Sequence, residues 1–269
     1  MDTRAFDKSE MKIYLNQLLS NFSLIENDEK IKSGFDDISG LCNSKTEQRL
    51  MHLPIEKLRL DKNVHAEEFD LEFFHEKSSE SVRQKCAYSA TSNLWSLPFA
   101  DATFTSDLEQ LCTELLNRVM LIRTSQAVAM NLETKKVGHR YPDHTQIYSG
   151  LAVIKEFLNV HRNTRTPSII AALVWIYFVR LHPFSDGNGR TSRSFLNFVF
   201  RDLGVIDKPS LVLGPIVYAN LDRLQNAVFS KQIGVENIKV LQNVLLTYID
   251  CVKQFECFPS ATMRQSSLI

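Results

Sequence analysis

The 269-residue sequence predicts a mainly α-helical protein, and three observations predict it. Apolar residues recur at three- and four-residue spacing through most of the chain, as one face of a helix requires. Helix-start signals stand ahead of those patterns at several places. Strand-like alternation is scarce, and the helical period lapses clearly in one place, residues 138–150.

Taken in order, the first helix is predicted from Met11, where Tyr14, Leu15, Leu18, Leu19 and Phe22 share a face. Residues 26–104 are mixed, with a charged run over 61–76, serines at 78–81 and a polar-aromatic stretch over 88–99, and they read as short helices with long connections. Ser106 and Glu109 form a capping-box pattern ahead of Leu108, Leu111, Cys112, Leu115, Leu116 and Val119, predicting a helix that begins there. Over 138–150, Pro142, Asp143 and Ser149 predict a loop or short hairpin. A helix follows over 151–160. Thr166 and Pro167 then offer an N-cap and a proline at the first helical position, opening an apolar helix through Arg180. Phe195, Phe198 and Val199 continue a helix that stops near Gly204, and two more are predicted over 216–229 and 235–252. No internal repeat is visible.

Composition narrows the class. The chain is 44% hydrophobic and 23% charged, as in a folded globular protein rather than a disordered one. Lysine plus arginine and aspartate plus glutamate balance at 31 each, so no overall field favours nucleic acid or an anionic membrane. The longest apolar run, 168–179, is too short to span a bilayer and reads as a buried helix in which Trp175, Tyr177 and Phe178 are core. The N-terminus has no signal-peptide pattern, and the five cysteines have no metal-ligand spacing. A cytoplasmic protein, or an effector exported to act in a host cytosol, is the expectation. The six histidines other than His182 show no paired ligand spacing and read as surface residues.

The chemistry concentrates in His182-Pro183-Phe184-Ser185-Asp186-Gly187-Asn188-Gly189-Arg190-Thr191-Ser192-Arg193, between two apolar helices. A Gly-Asn-Gly loop opening a helix leaves backbone N–H groups aimed at one spot, and the positive end of the helix dipole adds to their pull on a phosphate. Arg190 and Arg193, three residues apart, share a face of the first turn and can grip further phosphate oxygens. Asp186 would be repelled by phosphate unless a divalent cation lay between, and Mg²⁺ suits a carboxylate-plus-phosphate site. His182 is the nearby side chain able to take a proton at neutral pH. Together these suggest attack of a hydroxyl on a nucleotide phosphate.

This stretch resembles the signature of the Fic domain family, His-x-Phe-x-(Asp/Glu)-Gly-Asn-Gly-Arg-x-x-Arg, and matches it at every fixed position. The resemblance extends more loosely over residues 106–248. It implies a Fic-type helical bundle with a short β-hairpin flap and an N-terminal helical extension: residues 1–104 as the N-terminal region, 105–255 as the Fic domain, and 256–269 as a tail. It implies a protein adenylyltransferase that moves AMP from ATP to a Ser, Thr or Tyr hydroxyl of a target protein and releases pyrophosphate. His182 would be the general base, Asp186 the Mg²⁺ ligand, and Phe184 a core anchor. The N–H groups of Gly187, Asn188 and Gly189 would form the anion hole, with the Asn188 side chain near the α-phosphate and Arg190 and Arg193 on the outer phosphates. Thr145, Gln146, Ile147 and Tyr148 are the expected strand of the target-docking flap, and Tyr218 and Asn226 the expected adenine-pocket residues. Many relatives carry an inhibitory glutamate in a (Ser/Thr)-x-x-x-Glu-(Gly/Asn) helix. Here Glu26-Asn27 supplies its end, on a helix over 8–27, although Phe22 stands where Ser or Thr is expected. A homodimer fits the same resemblance. The alternatives are transfer of phosphocholine, UMP or phosphate, removal of AMP, and a nucleotide-binding module without activity.

Overall fold

The computed structural model describes residues 29–34, 36, 87, 89–130, 137–163, 167–210, 217, 220, 223, 224 and 235–257. Its ordered elements are helix α1 (Phe104–Leu116), strands β1 (Val128–Met130) and β2 (Val137–Arg140), and a 3₁₀ turn (His144–Gln146). Helices α2 (Ile147–His161), α3 (Pro167–Leu181), α4 (Asn188–Asp202) and α5 (Val235–Cys257) follow. The mainly helical expectation holds, with one two-stranded antiparallel hairpin. The expected first helix, the helix over 8–27 and most of 216–229 lie outside the described residues, as do Glu26, Tyr218 and Asn226.

Helix α3 is the centre of the bundle. It is apolar on every side, and Trp175, Tyr177 and Phe178 are at most 3% exposed, as their place in an all-apolar helix demands. Helices α2, α4 and α5 all pack on it, and α1 packs on α4. Gly150 lets α2 approach closely: a Cβ there would lie 2.5 Å from Leu181 Cδ1, one residue before His182. Buried Gln242 of α5 donates to the Ser168 hydroxyl of α3 at 2.9 Å, which satisfies two polar groups inside the core.

The phenylalanines of α4 set its depth. Phe99, Phe104, Phe195 and Phe198 form one aromatic cluster with ring centroids 4.8–6.0 Å apart. The segment before α1 is strapped to the far end of α4 by Arg201, which donates to the Trp95 and Leu97 carbonyls and lies over the Trp95 ring. The C-terminal half of the helix is thereby anchored by its rings and by Arg201.

Two local expectations are corrected. Helix α1 begins at Phe104, so Ser106 lies within it and donates back to the Thr103 carbonyl at 2.8 Å. Glu109 is not the reciprocal half of a capping box; its carboxylate accepts the Ile122 N–H at 2.9 Å and so binds the returning chain to the helix. The flap expectation also moves. Thr145 and Gln146 are in the 3₁₀ turn and Ile147 and Tyr148 open α2, so none is a strand residue. Asp143 explains this, since its carboxylate caps the turn through the Thr145 N–H at 3.0 Å and hydroxyl at 2.7 Å. With Ile147 fully buried, the chain is committed to helix there. The hairpin lies earlier, pairing Val128 with Arg140 and Ala129 with His139.

Candidate active site

Helix α3 ends at His182, which takes the left-handed conformation with φ 51°. For a residue bearing a Cβ this costs on the order of 1–2 kcal/mol, and surrounding bonds must hold it. They are present. The His182 N–H closes the helix on the Phe178 carbonyl at 3.1 Å, and its own carbonyl accepts Arg123 Nε at 2.8 Å. Arg123 is 5% exposed and also donates to the carbonyls of Ser125 and Pro142. Burial pulls its guanidinium pKa below the usual arginine value, with Asp143 acting in the other direction. The Arg123 backbone N–H donates to the Pro183 carbonyl at 2.9 Å, and Ile122 forms an antiparallel bridge with Phe184. The chain leaving α1 thus clamps the histidine loop from outside, and fully buried Phe184 anchors it from inside.

The imidazole half lies against Tyr141, the residue after β2. The two rings are stacked with centroids 3.7 Å apart and planes 16° apart.

The next turn builds a cradle of backbone N–H groups. Gly187 is the N-cap of α4 at φ 80°, and a Cβ on it would meet Leu116 Cδ1 at 2.7 Å and Cys112 Sγ at 3.3 Å. Only glycine satisfies both the backbone angle and the space. No side chain caps the helix, and its first intrahelical bond runs from the Thr191 N–H to the Gly187 carbonyl at 2.8 Å. The N–H groups of Asn188, Gly189 and Arg190 therefore have no acceptor within the helix, whereas the Gly187 N–H, expected in the anion hole, donates to Asp186 Oδ1 at 2.6 Å. The dipole of a 15-residue helix is concentrated on the same spot.

Each predicted residue can be placed. The Asn188 side chain is 4% exposed and braces the loop, its Oδ1 accepting the Phe184 N–H at 2.9 Å and its Nδ2 donating to the Phe184 carbonyl at 2.8 Å. That geometry gives the side chain a loop-holding task and leaves its backbone N–H for an anion. Arg193 is 7% exposed and folds back over the first turn, with Nη1 3.3 Å from where a Gly189 Cβ would sit. Arg190 Nη2 lies 3.9 Å from Asp186 Oδ1. Asp186 is half exposed at the rim and forms an ion pair with Arg118, from the turn after α1. Its carbonyl lies 3.8 Å from the Cys112 thiol, and burial pushes that thiol's pKa up, so it stays protonated beneath the loop.

Arg118, Arg123 and Tyr141 were not predicted. Each lies 41 or more residues before His182 in sequence order, and none belongs to a local pattern that periodicity or motif could flag. Thr145, Gln146, Ile147 and Tyr148 are not brought to this loop as a strand; Thr145 and Tyr148 are exposed, Gln146 is half-buried and Ile147 is buried.

Among the described residues no three His, Cys, Asp or Glu side chains gather as a metal cluster. The donor set at the cradle is one accessible carboxylate, already facing two guanidinium groups. A lone carboxylate beside a phosphate cradle fits Mg²⁺, which keeps several waters and takes its remaining oxygens from phosphates.

Comparison with known proteins adds the decisive observation: residues 104–200, from the start of α1 to within α4, match the Fic/DOC family model. The matched span contains α1, the hairpin, α2, α3 and most of α4, the elements that build the cradle. The chain is also similar to several solved structures. A Fic-domain signalling protein from Bacteroides thetaiotaomicron is 17% identical, with a TM-score of 0.43 covering 90% of this chain and 94% of that one. Fic-1 from C. elegans is 16% identical, with a TM-score of 0.49 over 86% of this chain and 72% of that one. IbpAFic2, in a structure where it is covalently tethered to Cdc42, is 15% identical, with a TM-score of 0.43 over 89% and 95%. No helix among the described residues is long and apolar enough to cross a membrane.

Proposed function

We propose that this Fic domain is a protein adenylyltransferase, moving AMP from ATP to a Ser, Thr or Tyr hydroxyl of a protein. The observation that carries the reading is the uncapped N-terminus of α4, whose N-cap Gly187 comes five residues after a histidine held in a strained backbone conformation. The triphosphate would lie on the N–H groups of Asn188, Gly189 and Arg190, with the guanidinium groups of Arg190 and Arg193 on its oxygens. Asp186 would hold Mg²⁺, which supplies charge neutralisation to the phosphates.

His182 takes the proton of the target hydroxyl as its oxygen bonds to the α-phosphorus. The bond from that phosphorus to the bridging oxygen breaks, and pyrophosphate leaves. The chain's contribution is positioning and charge stabilisation, the main sources of rate in phosphoryl-type transfer. The backbone N–H groups and the helix dipole are fixed by the fold before substrate arrives, so little reorganisation is required at the transition state.

Incubation with ATP, UTP or CDP-choline, each with Mg²⁺, tests the reading by mass spectrometry of the protein itself and of added target proteins. A gain of one AMP from ATP, absent in His182→Ala while ATP binding is kept, is the expected result. Label transferred only from CDP-choline or UTP, or label that survives His182→Ala, would overturn it.

A further inference from the structure

The Tyr141–His182 stack has a structural setting that goes beyond packing. A histidine side chain has two torsions to fix before it can act as a base, and the bonds to the His182 backbone fix neither. The parallel face of Tyr141, at 3.7 Å and 16°, restrains the ring plane. Tyr141 is itself held at the mouth of the hairpin. Its N–H donates to the Ala127 carbonyl at 3.1 Å, and its carbonyl accepts Gln126 Nε2 at 2.6 Å. One residue on, the Pro142 carbonyl accepts Arg123 Nη2, from the same guanidinium that holds the His182 carbonyl through Nε. Ring and backbone of the histidine are therefore both referenced to the stem of the β1–β2 hairpin.

We propose that Tyr141 is a positioning residue that sets the plane of the His182 imidazole and makes the base and the hairpin stem one rigid unit. The claim rests on the adenylyltransferase reading for its kinetic part and on ring geometry alone for its structural part. Proton transfer is sensitive to the direction of the nitrogen lone pair, so a ring free to swing spends less time aligned with the target hydroxyl. Burial raises the Tyr141 phenol above its ordinary value. The stacked partner is thus a neutral ring, and phenylalanine can replace its face.

The test uses the full chain and three proteins: wild type, Tyr141→Phe and Tyr141→Leu. In wild type the His182 ring protons, assigned by their loss in His182→Ala, should show an upfield ring-current shift in the NMR spectrum. Tyr141→Phe should keep that shift and Tyr141→Leu should lose it. With ATP, Tyr141→Leu should lower kcat roughly 10- to 100-fold while KM for ATP stays within about twofold, and Tyr141→Phe should restore most of kcat. Unshifted ring protons in wild type, or Tyr141→Leu with undiminished kcat, would overturn the proposal. A wild-type protein that shows the shift but transfers no AMP would instead count against the transferase reading, because the ring-current measurement needs no turnover.

Discussion

Gly187 carries two constraints at once: φ 80° and a wall of Leu116 and Cys112 where a side chain would start. Gly187→Ala must adopt left-handed backbone and also push Leu116 aside. The expected loss is about 2–4 kcal/mol of stability, read as a lower denaturation midpoint. A change below ~0.5 kcal/mol would mean that the cradle relaxes freely. His182 shows the opposite solution to the same backbone region, since its left-handed conformation is held by bonds from outside. The glycine was legible in the sequence because its residue type announces the backbone it needs. The strain at His182 was not, because nothing in a histidine's identity predicts a positive φ.

At the scale of elements, the turn after α1 meets the start of α4 through Arg118 and Asp186. Asn117, left-handed at φ 50°, ends α1 and turns the chain so that Arg118 faces the cradle. Both side chains of the pair are more than half exposed, so the contact is worth only about 0.2–1 kcal/mol. If the carboxylate holds Mg²⁺ as proposed, that is still enough to compete with the cation. Arg118→Ala should lower the Mg²⁺ concentration needed for half-maximal ATP binding, by up to about fivefold, in calorimetric titrations at graded Mg²⁺. A requirement that rises would instead make Arg118 a phosphate ligand. The motif on α4 was fully readable as sequence, but the partner element was not: Arg118 lies 68 residues away from Asp186. The hairpin was missed for a related reason. Strands of three and four residues are shorter than the window in which alternation becomes visible, whereas the turn at Asp143 carried the stronger signal and drew the expectation to its own side.

Across the whole molecule, the described part of the N-terminal segment is fastened to the last helix. Ile31 is fully buried, and a Cβ on Gly34 would lie 2.6 Å from Ile249 of α5. This close approach ties residues 29–34 to α5. If Glu26 restrains the site through Arg193, as the family resemblance implies, Glu26→Gly should raise the rate of auto-modification with ATP. Equal rates in wild type and Glu26→Gly would remove Glu26 from that role.

The sequence alone determined the central apolar helix, the glycine loop opening the next one, and the chemical types of the groups in the motif. These follow from side-chain periodicity and from residues whose identity dictates local backbone, so they are written within a few turns of chain. Tertiary structure alone decided which neighbours hold the histidine and the aspartate. Arg123, Tyr141 and Arg118 reach the site only after α1, the hairpin stem and α3 have packed, and contacts between distant segments leave no local pattern behind.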